Sequence, residues 1–154
     1  MKIYLASNFK SQERMRFVRQ VIESQGHSVV STWLDEDGAQ AYELHPERGP
    51  GYSLRDLGEV ADCDLLIIDT QEESATGGRE VEYGAALVQG KQLWRVGPAR
   101  NIFHTIAHRT YSSWGHCYID LRLDGTGGSN RGVCEDAVGG DEGRWEEAVE
   151  GGEA

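Results

Sequence analysis

The chain has 154 residues, a formal net charge of −11 and 38% apolar residues. This length suits one domain with a hydrophobic core rather than two domains. The acidic charge argues against binding to a nucleic acid polymer, whose phosphates require Lys and Arg side chains, but a single small anion could still bind at a local site.

The first part of the chain alternates between strand and helix patterns. The apolar segment Lys2–Ala6 predicts a strand, and Ser11–Gln25 predicts a helix with apolar residues at 3.6-residue spacing, which Gly26 ends. The alternating segment His27–Trp33 predicts a second strand. The polar segment Leu34–Gly51 is too long for a simple turn, and loops of this length often carry function.

The next part of the chain continues this alternation. Ser53 is a suitable N-cap for a helix over Leu54–Ala61. Asp64–Thr70 is apolar on both faces, as expected of a strand inside a parallel sheet. The remaining predicted elements are, in order, the helix Arg79–Gln89, the strand Gln92–Gly97, the strand His108–Tyr111 and the helix Ser112–Leu121.

This order of elements predicts right-handed βαβ units and an α/β fold, a flavodoxin- or Rossmann-like three-layer sandwich with a five-stranded parallel sheet. Ligands in such folds bind at the carboxyl ends of the strands. The segments at those ends are Ser7–Lys10, Thr70–Gly78 and Gly97–Phe103. We predict one catalytic domain over residues 1–123 and a disordered, acidic, Gly-rich tail over 124–154, which has too few apolar residues to become ordered.

The segment Gly77–Leu87, GGREVEYGAAL, combines a glycine turn with the start of a helix. It contains neither G-x-G-x-x-G nor the Lys-Ser/Thr of a phosphate-binding loop. Free N–H groups at a helix N-terminus nevertheless favour an anion, and the alternative is that the glycines only form the turn. The residues that could hold a carboxylate or a phosphate there are Ser74, Thr76, Gly77, Gly78 and Arg79.

Glu82 has two possible roles in this helix. Val81, Ala85 and Val88 are predicted to form the buried stripe, which leaves Glu82 at the edge of the buried face. There the carboxylate would be partly desolvated and close to the positive end of the helix dipole, and these two effects oppose each other on its pKa. The alternative is a solvated first-turn Glu, a role that Glu80 fits better.

The remaining candidates give weaker signals. Asp56 lies in the first turn of the predicted second helix, where the pattern alone indicates an acid near the helix cap. The histidines show no metal-binding spacing and the cysteines form no CxxC pair, so we expect neither a metal site nor a cofactor. With no membrane span or signal peptide predicted, we expect a cytoplasmic protein with reduced thiols at Cys63, Cys117 and Cys134.

Five segments together resemble the nucleoside 2-deoxyribosyltransferase family and its relatives that hydrolyse deoxynucleoside 5′-monophosphates, over roughly residues 1–120. These segments are IYLASNF, HSVVSTWLDED, RDL followed by ADCDLLIID, GGREVEYGAALVQGK, and VGPARNIFH. The resemblance implies that Glu82 is a nucleophile, that Tyr4 orients it, and that Asp56 assists proton transfer to the departing base. The implied substrate-binding residues are Ser7, Thr76, Gly77, Gly78 and Asn101.

The implied reaction follows the route of a retaining glycosidase. The N-glycosidic bond of a 2′-deoxynucleoside or its 5′-monophosphate breaks, a covalent deoxyribosyl-glutamate forms, and water or another base captures the sugar. The family also implies a homodimer or higher homo-oligomer, in which Asn101 reaches the site of a neighbouring subunit. The alternatives are a non-catalytic nucleotide-binding or sensing module with this fold, and an interaction protein whose acidic tail is the working part.

The residues leave open whether the substrate is a nucleoside or a nucleotide. Thr76 stands where the transferases have an aspartate and the monophosphate hydrolases a hydroxyl residue, and Gly78 also agrees with the hydrolases. Asn101 instead resembles the transferase residue that binds the free 5′-hydroxyl end. Lys10 and Arg14 could serve a phosphate, and the alternative is that both are solvated helix charges.

Overall fold

Five parallel strands form one sheet in the computed structural model, which describes residues 1–36, 46–74 and 76–125. The strands are β1 (Lys2–Ala6), β2 (Ser28–Val29), β3 (Leu65–Asp69), β4 (Gln92–Val96) and β5 (Arg109–Tyr111). The helices are α1 (Gln12–Ser24), α2 (Gly49–Asp62), α3 (Gly78–Val88) and α4 (Trp114–Gly125). The strand order is β2-β1-β3-β4-β5 and every neighbouring pair is parallel. The predicted α/β fold with a five-stranded parallel sheet is confirmed.

The core lies on the central strands because helices cover both faces of the sheet. Helix α1 packs against α4 and helix α2 against α3, as expected of a doubly wound sheet. All residues of β3 are buried, which agrees with its continuous apolar sequence. Helix α1 buries Met15, Val18 and Ile22 at the predicted spacing, and Gly26 follows its end with a φ of 85°.

Strand β2 is shorter than predicted because side chains replace its backbone pairing with β1. After Val29, the Ser31 hydroxyl accepts the Leu5 N–H at 2.6 Å. The Trp33 indole N–H donates to the Leu5 carbonyl at 2.8 Å. With both polar groups of Leu5 satisfied in this way, the chain turns into a 3-10 helix over Thr32–Asp35 instead of extending to the predicted end of the strand.

Helix α2 begins at Gly49 and not at the predicted Leu54, so Ser53 lies inside the helix and is not its N-cap. Pro50 occupies the first turn, where a missing N–H costs nothing and a fixed φ suits a helix. The earlier start also places Asp56 in the middle of α2. The prediction that Asp56 is a first-turn acid near the helix cap is therefore wrong.

Some predictions concern residues outside the described ranges. Part of the predicted long loop falls in residues 37–45, and residues 126–154 contain most of the predicted tail together with Cys134. Helix α4 continues to Gly125, two residues past the predicted end of the domain at Leu123. Among the described residues, none of the helices is both long and apolar enough to cross a membrane.

Candidate active site

The carboxyl ends of β1 and β3 meet where the strand order reverses, which is the ligand-binding position of this class of sheet. The segments that follow these two strands contact each other. The Ser7 hydroxyl donates to Asp69 Oδ2 at 3.4 Å, and Asn8 Nδ2 donates to the Glu73 carbonyl at 2.9 Å. The predicted substrate-binding residue Ser7 therefore lies at this edge, bound to a buried carboxylate.

Tyr4 and Glu82 form a hydrogen-bonded pair beneath this edge. Tyr4 lies in the middle of β1 and its side chain is fully buried. Its hydroxyl donates to Glu82 Oε1 at 2.9 Å. Because Tyr4 is fixed by the sheet and Glu82 by α3, the hydrogen bond holds one carboxylate oxygen in a defined position.

Helix α3 is rotated relative to the sequence prediction. Val81 and Val88 are 62% and 84% exposed, so the predicted stripe with Ala85 is not the buried one. The buried positions are Arg79, Tyr83 and Ala86. Tyr83 packs edge-on against His104, with ring centroids 5.5 Å apart, while Arg79 bonds backbone carbonyls. This rotation turns Glu82, which is half-buried, toward Tyr4 and the sheet.

Burial raises the pKa of Glu82 to about 8. The hydrogen bond from Tyr4 lowers this pKa, whereas the negative charges of Asp56 and Glu59 raise it further. The pKa of Tyr4 lies far above its ordinary value, first because of burial and then because of the neighbouring Glu82 charge, so Tyr4 remains a hydrogen-bond donor. Glu82 consequently holds a proton for much of the time near neutral pH.

Asp56 faces the same region from α2 and is held by Arg55. Arg55 Nη2 and Nε lie 2.8 Å and 3.2 Å from Asp56 Oδ1. The same guanidinium contacts Glu36 and lies 3.7 Å from Glu59 Oε1. Glu59 in turn accepts hydrogen bonds from the backbone N–H and the hydroxyl of Thr32. The Arg55 guanidinium is thus shared by the carboxylates of Glu36, Asp56 and Glu59. The negative charge that it leaves unbalanced disfavours ionisation of Glu82.

The turn before α3 explains one of its two glycines. Gly77 has a φ of 73°, a left-handed conformation that favours glycine, and its carbonyl accepts the N–H groups of Glu80 and Val81. At Gly78 an added Cβ would meet no heavy atom within 4 Å, so packing does not require glycine there. Thr76 is exposed beside this turn. Space around Gly78 is compatible with the close approach of a small ligand.

Arg79 is not available to the predicted anion site, because its side chain is buried and its Nη1 donates to the carbonyls of Asp69 and Glu72. Arg14 is also committed, with Nη2 2.6 Å from the buried Asp69 Oδ2. The interpretation of Arg14 as a solvated helix charge is therefore wrong. Lys10 is exposed.

Asn101 lies on the segment after β4 and caps the 3-10 helix Ile102–Ile106. Its Oδ1 accepts the N–H groups of Phe103 and His104, and its Nδ2 donates to Glu80 Oε2 at 3.1 Å. Glu80 lies in the first turn of α3, as expected of an acid that favours the helix dipole, but it is half-buried and bonded, so the prediction that it is solvated is wrong.

Sequence reasoning missed several polar residues that surround the site. Asp69 ends the buried β3 strand, so its place at a carboxyl end was a usable signal. The spacing of Arg55 and Glu59 on one helix was a second usable signal. Arg100 gave no comparable signal, because its acceptors are backbone carbonyls about 30 residues away in the chain.

The cysteines and the metal-ligating side chains add no chemistry to the described part of the chain. Cys63 and Cys117 are buried and free, and burial raises the pKa of Cys117 to about 12, so its thiol is poorly reactive. In the described ranges no group of three or more His, Cys, Asp or Glu side chains is arranged to hold a metal ion.

Two enzymes of known structure are similar to this chain in fold. A 2-deoxyribosyltransferase from Bacillus psychrosaccharolyticus is similar with a TM-score of 0.58 and 22% identity, covering 79% of this chain and 96% of that chain. A CMP N-glycosidase from Clostridium botulinum is similar with a TM-score of 0.51 and 17% identity, covering 79% of this chain and 98% of that chain. No protein-family model and no curated protein sequence matches the chain. The fold implied by the sequence resemblance is confirmed.

Proposed function

We propose that the protein is an enzyme that cleaves the N-glycosidic bond of 2′-deoxynucleosides or their 5′-monophosphates. The observation that carries this proposal is the Tyr4–Glu82 pair, an oriented carboxylate beneath the ligand-binding edge of the sheet. The two similar solved structures support it, because one is a deoxyribosyltransferase and the other an N-glycosidase. The rival reading is a nucleotide-binding or sensing module that keeps the fold without the reaction.

In the proposed reaction, ionised Glu82 attacks the anomeric carbon of the sugar. The new C–O bond replaces the C–N bond, whose electron pair leaves with the base, and Asp56 in its protonated form gives that base a proton. Water or a second base then attacks the same carbon, gives its proton to the Asp56 carboxylate and releases Glu82 as a carboxylate. The attack requires Glu82 without its proton, so the reactive fraction of the enzyme grows as the pH rises through the Glu82 pKa of about 8.

A direct test is the release of free base by the purified protein from a panel of deoxynucleosides and deoxynucleoside 5′-monophosphates. Addition of a second base distinguishes transfer from hydrolysis, since transfer yields a new nucleoside. Binding of a nucleotide without base release on any substrate would favour the sensing module. A chain truncated after Gly125 retains all of α4, so retained activity would exclude the acidic tail as the working part.

We expect the Tyr4→Phe substitution to lower kcat/KM near neutral pH by about 10- to 100-fold, the usual effect of losing a hydrogen bond to a charged group. Without the Tyr4 hydroxyl, the pKa of Glu82 rises above about 8. The rising limb of the pH profile of kcat/KM, which reports ionisation of the free enzyme, should therefore move to higher pH.

Tyr111→Phe is a matched control for this substitution. It removes a Tyr–carboxylate hydrogen bond of 2.8 Å, to Asp120, away from Glu82. Its pH profile should remain that of the unmodified chain. An unshifted profile in Tyr4→Phe would show that Tyr4 does not tune the carboxylate.

We expect the Thr76→Ala substitution to raise KM for a deoxynucleoside 5′-monophosphate by about 10-fold, because we propose that the hydroxyl of this exposed residue bonds the phosphate. KM for the corresponding nucleoside should change less than twofold, and Thr76→Ser should restore the nucleotide value. Steady-state kinetics on both substrates would check this expectation. Equal effects on the two substrates would exclude a phosphate contact at this position.

We also propose a cytoplasmic homodimer or higher homo-oligomer with a small-molecule substrate. Exposed apolar side chains lie on α3 and beside it, including Val81 and Val88 on the helix and Phe103 after β4. A groove of about 500 Å³ is lined by these side chains and by Asn101. A second copy covering this surface would contact Asn101, which the family resemblance implies reaches the site of a neighbouring subunit.

A further inference from the structure

Five consecutive backbone carbonyls, those of residues 69–73, each accept a hydrogen bond from a side chain. The donors are Arg79, Arg100 and Asn8, which lie in three separate parts of the chain. This segment joins the end of β3 to the turn before α3. A surface segment of this kind would ordinarily bond water, so such complete occupation by side chains indicates that its path is fixed.

Arg79 holds both ends of a bend in this segment. Its Nη1 lies 2.9 Å from the Asp69 carbonyl and 2.8 Å from the Glu72 carbonyl. The residue is only 4% exposed. A buried guanidinium is destabilising unless its N–H groups are hydrogen-bonded. Movement of residues 69–72 would break these bonds, so Arg79 restrains the segment.

Arg100 holds the middle of the segment from the opposite side. Its Nε donates to the Thr70 carbonyl at 3.1 Å and its Nη2 donates to the Gln71 carbonyl at 3.0 Å. Its Nη1 lies 3.2 Å from the exposed Glu73 carboxylate. The Arg100 side chain is 31% exposed, so its removal is tolerated by the fold better than that of Arg79.

Glu80 and His104 connect the two arginines to each other. Glu80 accepts from Arg79 Nε at 2.9 Å and from His104 Nε2 at 2.6 Å. His104 Nδ1 accepts the backbone N–H of Arg100 at 3.0 Å, which leaves the ring proton on Nε2. Although burial opposes ionisation, the hydrogen bonds from Arg79 and His104 hold the pKa of Glu80 below its ordinary value. The network is therefore continuous from β3 to the segment after β4.

Gly97 adds a backbone contact between the same two segments. It has a φ of 110°, and an added Cβ would lie 2.6 Å from the Gln71 nitrogen and 2.8 Å from the Thr70 carbonyl carbon. The buried Thr70 hydroxyl spans the contact by donating to the Pro98 carbonyl at 2.7 Å. The segments after β3 and β4 are thus packed with no room for a side chain between them.

We propose that Arg79 and Arg100 are positioning residues, which fix residues 69–73 so that Thr76, Gly77 and Gly78 meet the 5′ end of the substrate. This inference rests on the proposed function. Glu82 is oriented separately by Tyr4, so the clamp formed by the two arginines sets where the sugar lies but not the ionisation of the nucleophile. It should therefore act on substrate affinity and leave the pH profile unchanged.

The test uses the full chain with Arg100→Ala, Arg100→Lys and the control Arg19→Ala. Arg19 pairs with Asp35 at the surface, 2.8 Å between Nη2 and Oδ1, and supplies a matched loss of an arginine. We expect Arg100→Ala to raise KM about 10-fold with kcat changed less than threefold and the pH profile of kcat/KM unshifted. Backbone amide exchange in the peptide spanning residues 70–78 should accelerate at least about 10-fold.

Arg100→Lys keeps the charge but loses the forked donors, so it should reproduce most of both effects, whereas Arg19→Ala should produce neither. Unchanged exchange over residues 70–78 in Arg100→Ala, or a KM equal to that of Arg19→Ala, would overturn the proposal. If the unmodified chain releases no base, the proposed function fails by itself. The exchange measurement then still decides whether Arg100 fixes the segment.

Discussion

Replacement of Glu82 by alanine is expected to lower kcat/KM for base release by about 10³-fold or more, because it removes the carboxylate that we propose forms the covalent sugar intermediate. Glu82→Gln should be equally inactive, since a neutral amide keeps the shape and the Tyr4 contact but is not a nucleophile. Release of free base, followed by chromatography, measures the effect. Mass spectrometry of the quenched unmodified chain should also detect a deoxyribosyl adduct on Glu82, absent from both variants.

Glu23→Ala is a suitable control for this experiment because Glu23 is exposed near the end of α1 on the other side of the sheet. It should retain the activity of the unmodified chain. Full activity in Glu82→Ala would exclude Glu82 as the nucleophile. A loss of activity that includes only the transfer to a second base, with hydrolysis intact, would place Glu82 in acceptor binding instead.

Glu82→Gln is also expected to stabilise the fold, increasingly so as the pH rises. A carboxyl group with a higher pKa in the folded chain contributes stability below its ordinary value and loses that contribution as the pH rises through the folded value. For Glu82 this window runs from 4.5 to about 8. It corresponds to at most about 5 kcal/mol in the free energy of unfolding. Because Glu82 is only half-buried, water reduces the effect, and we expect about 2 kcal/mol.

Thermal unfolding at several pH values measures this difference. Between about pH 5 and pH 9, the advantage in Tm of Glu82→Gln over the unmodified chain should grow by about 4–8 °C, as expected for a chain of this length. Glu23→Gln, which removes an exposed charge, should show no such growth. A constant difference between Glu82→Gln and the unmodified chain at all pH values would mean that Glu82 is ionised throughout.

The elements of the fold could be predicted where the apolar pattern in the sequence matches the pattern of buried side chains. The apolar run of β3 predicts a strand because every residue of β3 is buried. The helical spacing of apolar residues predicts α1 because those side chains form its buried face. The length of β2 did not follow, since Ser31 and Trp33 replace its pairing through side chains. These side-chain hydrogen bonds depend on the position of Leu5 in β1, so the sequence around β2 contains no signal for them.

The candidate site was predictable to the extent that a family resemblance identified its carboxylates. Tyr4 and Glu82, 78 residues apart, lie within hydrogen-bond distance as that resemblance implied. The rotation of α3 was not predictable from its apolar residues, because Arg79 is buried through carbonyls of a distant segment. A prediction from apolar periodicity treats arginine as exposed. It therefore placed Val81 and Val88 on the buried face of α3, where Arg79 lies instead.

The contact at Gly97 has a consequence for how the substrate range of this protein can diverge. Two neighbouring segments that touch backbone to backbone cannot be lengthened or rerouted one at a time, since any shift of one displaces the other. New specificities would have to arise through side-chain exchange at the outer positions of these segments, such as Thr76, with the main-chain path retained. Directed libraries that vary side chains there should yield many folded variants, whereas insertions next to Gly97 should yield few.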